Sequence, residues 1–223
     1  MIFNILYEDD DILVVNKPPG LPVIAEGWNP DAPYLIKLLS KSHGKLWVVH
    51  RLDKFTSGVV ICAKNAYAHR FLNDQFEKRQ VRKKYHAILE GVPSWESIVT
   101  NQSLRVNSGR SHRTIIDNSN GKESSTEFHL ITSIDCYSLV EASPKTGRTH
   151  QIRAHAANLG FPILGDLLYG GHKNKYINRL ALHSHLISFS HPSTKLFMEI
   201  TAPYPLDFAY FQFILGFDTR LSK

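Results

Sequence analysis

The chain is expected to be an α+β protein, a mixed and largely antiparallel sheet with flanking helices. Two observations predict this. Short runs of apolar, β-branched and aromatic residues recur along almost the whole length, each bounded by Gly, Pro, Asn or Asp. Helical periodicity is confined to a few segments that do not alternate regularly with those runs, so a parallel sheet wound through βαβ units is not indicated.

Residues 3–8 and 11–16 are apolar runs on either side of Glu8-Asp9-Asp10-Asp11 and read as a hairpin. The acids suit a turn better than a metal site, because an Asp side chain accepts hydrogen bonds from the backbone just after it. Lys17-Pro18-Pro19-Gly20-Leu21-Pro22 is a stiff loop, and residues 33–41 read as a helix entered through Pro33. Residues 46–50 and 58–63 are candidate buried strands, and the polar stretch between them is a favoured place for a site. Asn65 caps a helix over 66–79, where Phe71, Leu72, Gln75, Phe76 and Arg79 share helical spacing. Residues 84–90 read as a strand. Several more strands fall within 96–145, with Asn118-Ser119-Asn120-Gly121 as one of the turns. Gly147 precedes a helix over 148–159 that stops at Gly160. Residues 180–190 and 196–202 read as strands parted by His191-Pro192-Ser193, and 205–215 as an aromatic-rich helix. No repeat or long linker breaks this order, so residues 1–223 are expected to form one domain.

Hydrophobic residues make up 43% and charged residues 21% of the chain, which excludes a disordered protein. A chain of this size buries roughly 70% of its extended surface, so staples are not required. Cys62 and Cys136 both lie in apolar stretches and are expected to be buried free thiols in a reducing compartment. The start, Met1-Ile2-Phe3-Asn4, lacks a basic signal region, and no apolar run approaches the ~20 residues of a membrane span. A cytoplasmic monomer without a membrane partner is expected.

The formal net charge is +6. Its placement says more than its size. Between 142 and 198 stand seven Lys and Arg against one acid, Asp166, together with six of the twelve histidines. A second cluster is Lys78-Arg79-Gln80-Val81-Arg82-Lys83-Lys84. Two such clusters point to a polyanion partner.

Three constellations can carry chemistry. In His50-Arg51-Leu52-Asp53-Lys54-Phe55-Thr56-Ser57-Gly58 a carboxylate lies close to a guanidinium and two hydroxyls. Such a group serves as an ordinary salt-bridge residue, or as a nucleophile kept ionised in a partly dry site by arginine, which lowers a carboxyl pKa by ~1–3 units. In Pro144-Lys145-Thr146-Gly147-Arg148-Thr149-His150-Gln151-Ile152-Arg153-Ala154-His155 a turn leads to a helix start, a favourable place for a phosphate. In Arg82-Lys83-Lys84-Tyr85-His86 an aromatic ring sits within a basic strand, and a ring can stack on an extruded base. The histidines show no zinc-helix spacing and the cysteines no CxxC.

Together these stretches resemble the RluA family of pseudouridine synthases. The resemblance runs from Asp11-Ile12-Leu13-Val14-Val15-Asn16-Lys17-Pro18-Pro19-Gly20 through 50–58 and 83–85 to 147–155, 160–166 and 180–183. It implies a pseudouridine synthase fold with a central RNA cleft and an isomerase that turns uridine into pseudouridine in tRNA or ribosomal RNA. Asp53 matches the catalytic carboxylate, Tyr85 the tyrosine that stacks on the uracil, and Arg153 the arginine paired with that carboxylate. Arg51 matches an arginine thought to fill the space of the flipped nucleotide. With Arg51, the neighbouring His50, Thr56, Lys84, Arg148 and His150 are expected to contact the substrate. The resemblance implies no cofactor and no metal. The first hairpin begins almost at Met1, so substrate choice is expected to rest with the catalytic domain, without an S4-type module. The competing readings are an RNA-binding module without turnover, and a metal-dependent nuclease using Asp9, Asp10 and Asp11.

Overall fold

The computed structural model describes residues 3–27, 29, 31–108 and 113–217. In chain order these form β1 (Asn4–Glu8), β2 (Ile12–Lys17), α1 (Leu35–His43), β3 (Trp47–Val48), β4 (Ser57–Ala63), α2 (Ala66–Glu77), β5 (Arg82–Glu90), β6 (Ser97–Thr100), β7 (Leu104–Ser108), β8 (Arg113–Ile116), β9 (Thr126–Ile134), β10 (Tyr137–Pro144), α3 (Gln151–Asn158), β11 (Leu182–Ser190), β12 (Phe197–Thr201) and α4 (Leu206–Leu215). The class is α+β, with mostly antiparallel strands and four helices. Two compact units emerge, Met1–Lys83 with Ser184–Pro203, and Lys84–His183 with Tyr204–Lys223. Strands β5 and β11 carry the chain from one unit into the other. Among the described residues, no helix is long and apolar enough to cross a membrane.

In the first unit the strand order is β1-β2-β4-β11, with β3 on β4 and β12 on β11. The opening hairpin closes as the acids predict: the Asp9 carboxylate accepts from the backbone N–H of Asp11 and of Ile12, both at 2.9 Å. Strand β2 pairs antiparallel with β4 from Ile12↔Ala63 to Lys17↔Gly58. Ile12, Val14, Val59, Ile61, Ile187 and Phe189 build the core with Ala68 and Leu72 of α2. The Asn65 side chain accepts from the Ala68 N–H at 2.8 Å and caps α2. Helix α1 starts two residues later than Pro33 suggests. The N–H groups of Leu35 and Ile36 donate to the carbonyls of Pro22 and Val23, so the preceding loop does the work of a side-chain cap. The strand expected over 46–50 shrinks to Trp47–Val48, and at His50 a side chain, not the backbone, takes the Ile61 N–H of β4.

In the second unit the order is β5-β10-β9-β6, and β7 and β8 form a separate hairpin. Tyr85 lies opposite Ala142 and His86 opposite Glu141. Helix α3 is shorter than expected, beginning at Gln151 and not at 148. The Gln151 carboxamide explains this. Its oxygen accepts from the Arg148 N–H at 3.0 Å and the Thr146 hydroxyl at 2.7 Å, and its nitrogen donates to the Ser125 carbonyl and the Thr126 hydroxyl. Residues 146–150 are thereby tied to the start of β9, ending in His150 at φ 53°. Arg148 and Thr149 precede the helix. Cys62 is buried, but Cys136 is exposed. The apolar run around Cys136 breaks at Asp135, φ 55°, which turns β9 into β10. Helix α4 is fastened by Arg179, whose guanidinium donates twice to the Asp207 carboxylate, at 2.7 and 2.8 Å.

Candidate active site

Asp53 occupies the first position of the turn Asp53-Lys54-Phe55-Thr56, closed by the Thr56 N–H donating to the Asp53 carbonyl at 3.1 Å. Three devices lock this turn. Strand β4 starts at once after it, and all seven of its residues are buried. Before the turn, His50 Nε2 accepts from the Ile61 N–H at 3.0 Å and its ring stacks on Phe76 at 5.0 Å. An accepting Nε2 leaves the proton on Nδ1 and the ring neutral. Burial, and then the Lys83 ammonium, hold the His50 pKa down to about 3. Beside the turn, Lys17 is 0% exposed. Its ammonium donates to the carbonyls of Pro18, Leu21 and Lys54 at 2.8–3.0 Å, and the Gly20 N–H also reaches the Lys54 carbonyl. Asp53 itself is half-buried.

The motif letters acquire physical reasons. Gly58 sits at φ 111°, and a Cβ there would lie 2.1 Å from the Ser184 carbonyl oxygen of β11. Only glycine allows that approach. Thr56 is 2% exposed, and its hydroxyl has no hydrogen-bond partner among the described residues. Arg51 is exposed. Lys17 acts through three carbonyls, a role that neither the stiff loop nor the matching stretch 11–20 assigns to it. Its signal was a cation closing an apolar strand, Ile12–Lys17.

Arg153 projects from α3 onto Asp166 with two parallel bonds, Nε to Oδ2 at 2.7 Å and Nη2 to Oδ1 at 2.8 Å. The side chains are 11% and 1% exposed. The guanidinium also lies over the Tyr169 ring, 5.0 Å from its centroid. The Tyr169 hydroxyl accepts from the Thr114 N–H at 2.7 Å and bonds His150 Nδ1 at 3.1 Å. Carboxylate and ring together fix the plane of the guanidinium, which is the geometry arginine is suited to. Gly165 precedes Asp166 at φ 77°, with a virtual Cβ 2.0 Å from the Arg179 carbonyl oxygen. Tyr85 opens the buried run of β5 and is 9% exposed.

A family model described as RNA pseudouridylate synthase matches residues 11–158. The chain belongs to that family. Curated relatives agree. An uncharacterised RNA pseudouridine synthase of Zymomonas mobilis is 40% identical, over 93% of this chain and 95% of its own. Ribosomal large subunit pseudouridine synthase C of Buchnera aphidicola is 40% identical, over 94% of this chain and 70% of its own. Among solved structures, human RNA pseudouridylate synthase domain containing 4 superposes with a TM-score of 0.78 at 27% identity, over 96% of this chain and 93% of the other. Human RNA pseudouridylate synthase domain containing 1 gives 0.77 at 30% identity, over 92% and 84%. The chain is thus an RNA pseudouridine synthase of the RluA type. It is an isomerase that breaks the N1–C1′ bond of uridine and forms C5–C1′ within the same nucleotide.

The other residues expected to touch RNA in this synthase are placed as follows. His50, Arg51, Asp53 and Thr56 fall in the first unit, and Lys84, Tyr85, Arg148, His150 and Arg153 in the second. His150 and Arg153 meet at Tyr169. Lys84 is exposed and pairs with Glu141 at 3.1 Å. Arg148 Nε donates to the Glu123 carbonyl at 3.1 Å. The helix start foreseen as a phosphate seat lies at Gln151, and the Arg148 N–H before it is already bonded to the Gln151 side chain. His155 is fully buried, with Nδ1 on the Thr126 hydroxyl and Nε2 near the Ser124 hydroxyl and the Gln102 carbonyl. Burial lowers its pKa. Asp166 ends a stretch that carries the resemblance but has no role assigned there, and Tyr169 lies outside it. Asp166 did leave a trace, as the lone acid of 142–198.

Proposed function

We propose that Asp53 is the carboxylate that drives the isomerisation, and that the substrate is ribosomal RNA of the large subunit. The observation that supports the catalytic half is the locked turn. A half-buried carboxylate on a turn fixed by β4, His50 and Lys17 needs no rearrangement to meet a reacting atom. The substrate half rests on the relatives named for large-subunit ribosomal RNA, 34–41% identical to this chain.

On this reading Asp53 attacks C1′ or C6, or removes the C2′ proton. Each route uses the carboxylate as an anion, and Arg153 is the arginine that the resemblance pairs with it. Tyr85 holds the uracil while it rotates. Arg51 fills the place of the extruded uridine, whose unstacking costs a few kcal/mol. Lys84, Arg148 and His150 contact the RNA, with Thr56 beside the base. The reaction is redox-neutral and moves one C–N bond to C–C, so a carboxylate, a ring and a guanidinium suffice without metal or cofactor. The enzyme acts as a cytoplasmic monomer.

Asp53→Asn keeps the shape and removes the charge. It is expected to abolish pseudouridine formation while RNA binding survives. Full turnover in that variant would overturn the catalytic half. Pseudouridine mapping of total RNA from cells with and without the gene tests the substrate, and sites lost only from tRNA would overturn that half.

A further inference from the structure

The turn that presents Asp53 also presents a phenyl ring. Phe55, its third residue, is 51% exposed, whereas Thr56 and Ser57 just after it are 2% and 0% exposed. Turn corners ordinarily carry Gly, Asn, Asp, Ser or Pro, because those residues suit the local backbone or bond to it. A large apolar side chain at such a corner leaves half its surface in water, and nothing in the turn chemistry calls for it.

We propose that Phe55 is a stacking platform for a base of the RNA beside the uridine delivered to Asp53. The proposal rests on Asp53 being the reacting carboxylate, and three observations carry it. The first is reach. Two residues of chain span at most about 7 Å, so the ring stands within one or two nucleotides of the reacting base. The second is rigidity. The Thr56 N–H to Asp53 carbonyl bond closes the turn, and the Lys17 ammonium and Gly20 N–H both hold the Lys54 carbonyl next to Phe55. A ring whose backbone is already fixed loses little conformational freedom on binding. The third is setting. Arg51 is exposed on the same loop and offers a guanidinium suited to a phosphate, while the Lys54 ammonium next to the ring is held on the Glu26 carboxylate at 2.8 Å. Every base has a π-face, so such a platform tolerates sequence and favours an unpaired or splayed neighbour. It gives the enzyme a second grip on the strand, distinct from the ring that receives the target uracil.

The test uses the full chain with two probes transcribed without modification, large-subunit ribosomal RNA and a tRNA mixture. KM and kcat are measured on whichever of the two the wild type converts. Phe55→Ala is expected to raise KM roughly 5- to 150-fold, the span of base–aromatic stacking, with kcat nearly unchanged because the contact is equal in ground and transition states. Phe55→Tyr and Phe55→Trp are expected to restore KM. Phe55→Leu keeps an apolar side chain without a flat face and should stay weak. Filter binding of both probes in an Asp53→Asn background reads the same ratio without turnover, so a failure of the Asp53 assignment leaves the Phe55 result legible. Since Phe55 is neutral, its loss should leave the salt dependence of binding unaltered. A wild-type KM and Kd in Phe55→Ala would overturn the proposal. Recovery by leucine equal to that by tryptophan would do the same, because it would mean that apolar bulk, not stacking, is what the site uses.

Discussion

Asp166 and Arg153 share two parallel charge-assisted bonds in nearly complete burial. Removing one member of such a pair leaves the other charged and desolvated, at a cost of roughly 3–5 kcal/mol. Asp166→Ala is therefore expected to lose stability of that order in urea titration, and activity beyond what unfolding explains, since Arg153 loses its orientation. A loss under about 1 kcal/mol would mean that the guanidinium is stabilised without the carboxylate. His50 gives a prediction in pH. Its imidazole titrates near pH 6.5 in the unfolded chain and near 3 when folded. Between those values the unfolded state binds the extra proton. Stability is complete above about pH 6.5 and falls on acidification by about 1.4 kcal/mol per pH unit from this group. His155, also lowered by burial, adds to the same limb. His50→Gln keeps an acceptor for the Ile61 N–H and removes one titration. Its acid limb between pH 6 and 5 should be shallower by about 1.4 kcal/mol per unit in denaturant titrations, and an unchanged limb would contradict a neutral His50.

At the scale of elements, what local chemistry determines was legible and what distant partners determine was not. The β1–β2 hairpin and the cap of α2 were readable because Asp9 and Asn65 bond to backbone within three residues. Strand β4 was readable because it is apolar on both faces. The starts of α1 and α3 were misread by two or three residues, because the carbonyls of Pro22 and Val23 and the side chain of Gln151 decide them across the fold. The candidate site divides the same way. Asp53, Tyr85 and Arg153 stand inside motifs and have matched roles, whereas Lys17 and Asp166, inside matching stretches but without a role there, and Tyr169, outside them, act by holding other groups. Gln151 tests the point. It is 4% exposed and makes four hydrogen bonds that place the turn before α3. Gln151→Leu removes all four and strands buried partners. With each bond worth about 1 kcal/mol net, the expected loss is about 2–4 kcal/mol by urea titration. Activity should fall as well, since Arg153 lies two residues on. A stable Gln151→Leu variant with normal turnover would show that the turn holds without this anchor.

Over the whole molecule, the +6 charge overstates what RNA can use. Of the seven cations between 142 and 198, Arg153 and Arg179 each have both prongs on a carboxylate, Asp166 and Asp207. The Lys195 ammonium lies 3.6 Å from the Phe71 centroid and bonds the Tyr67 hydroxyl. That leaves Lys145, Lys173 and Lys175, all exposed, and the half-buried Arg148. Counterion release then sets the expected salt dependence. Four to six phosphate contacts, with a slope near −0.7 per contact for single strands and −0.9 for duplex, give log–log slopes between about −3 and −5. Filter binding of unmodified large-subunit RNA from 50 to 300 mM salt reads this slope. Lys173→Gln with Lys175→Gln should flatten it by one to two and weaken binding across RNA sequences alike. Arg179→Gln should leave the slope intact and loosen α4, visible as a lower unfolding midpoint. A slope flatter than about −1 for the wild type would mean that phosphates contribute little, and that recognition depends on stacking and base edges instead.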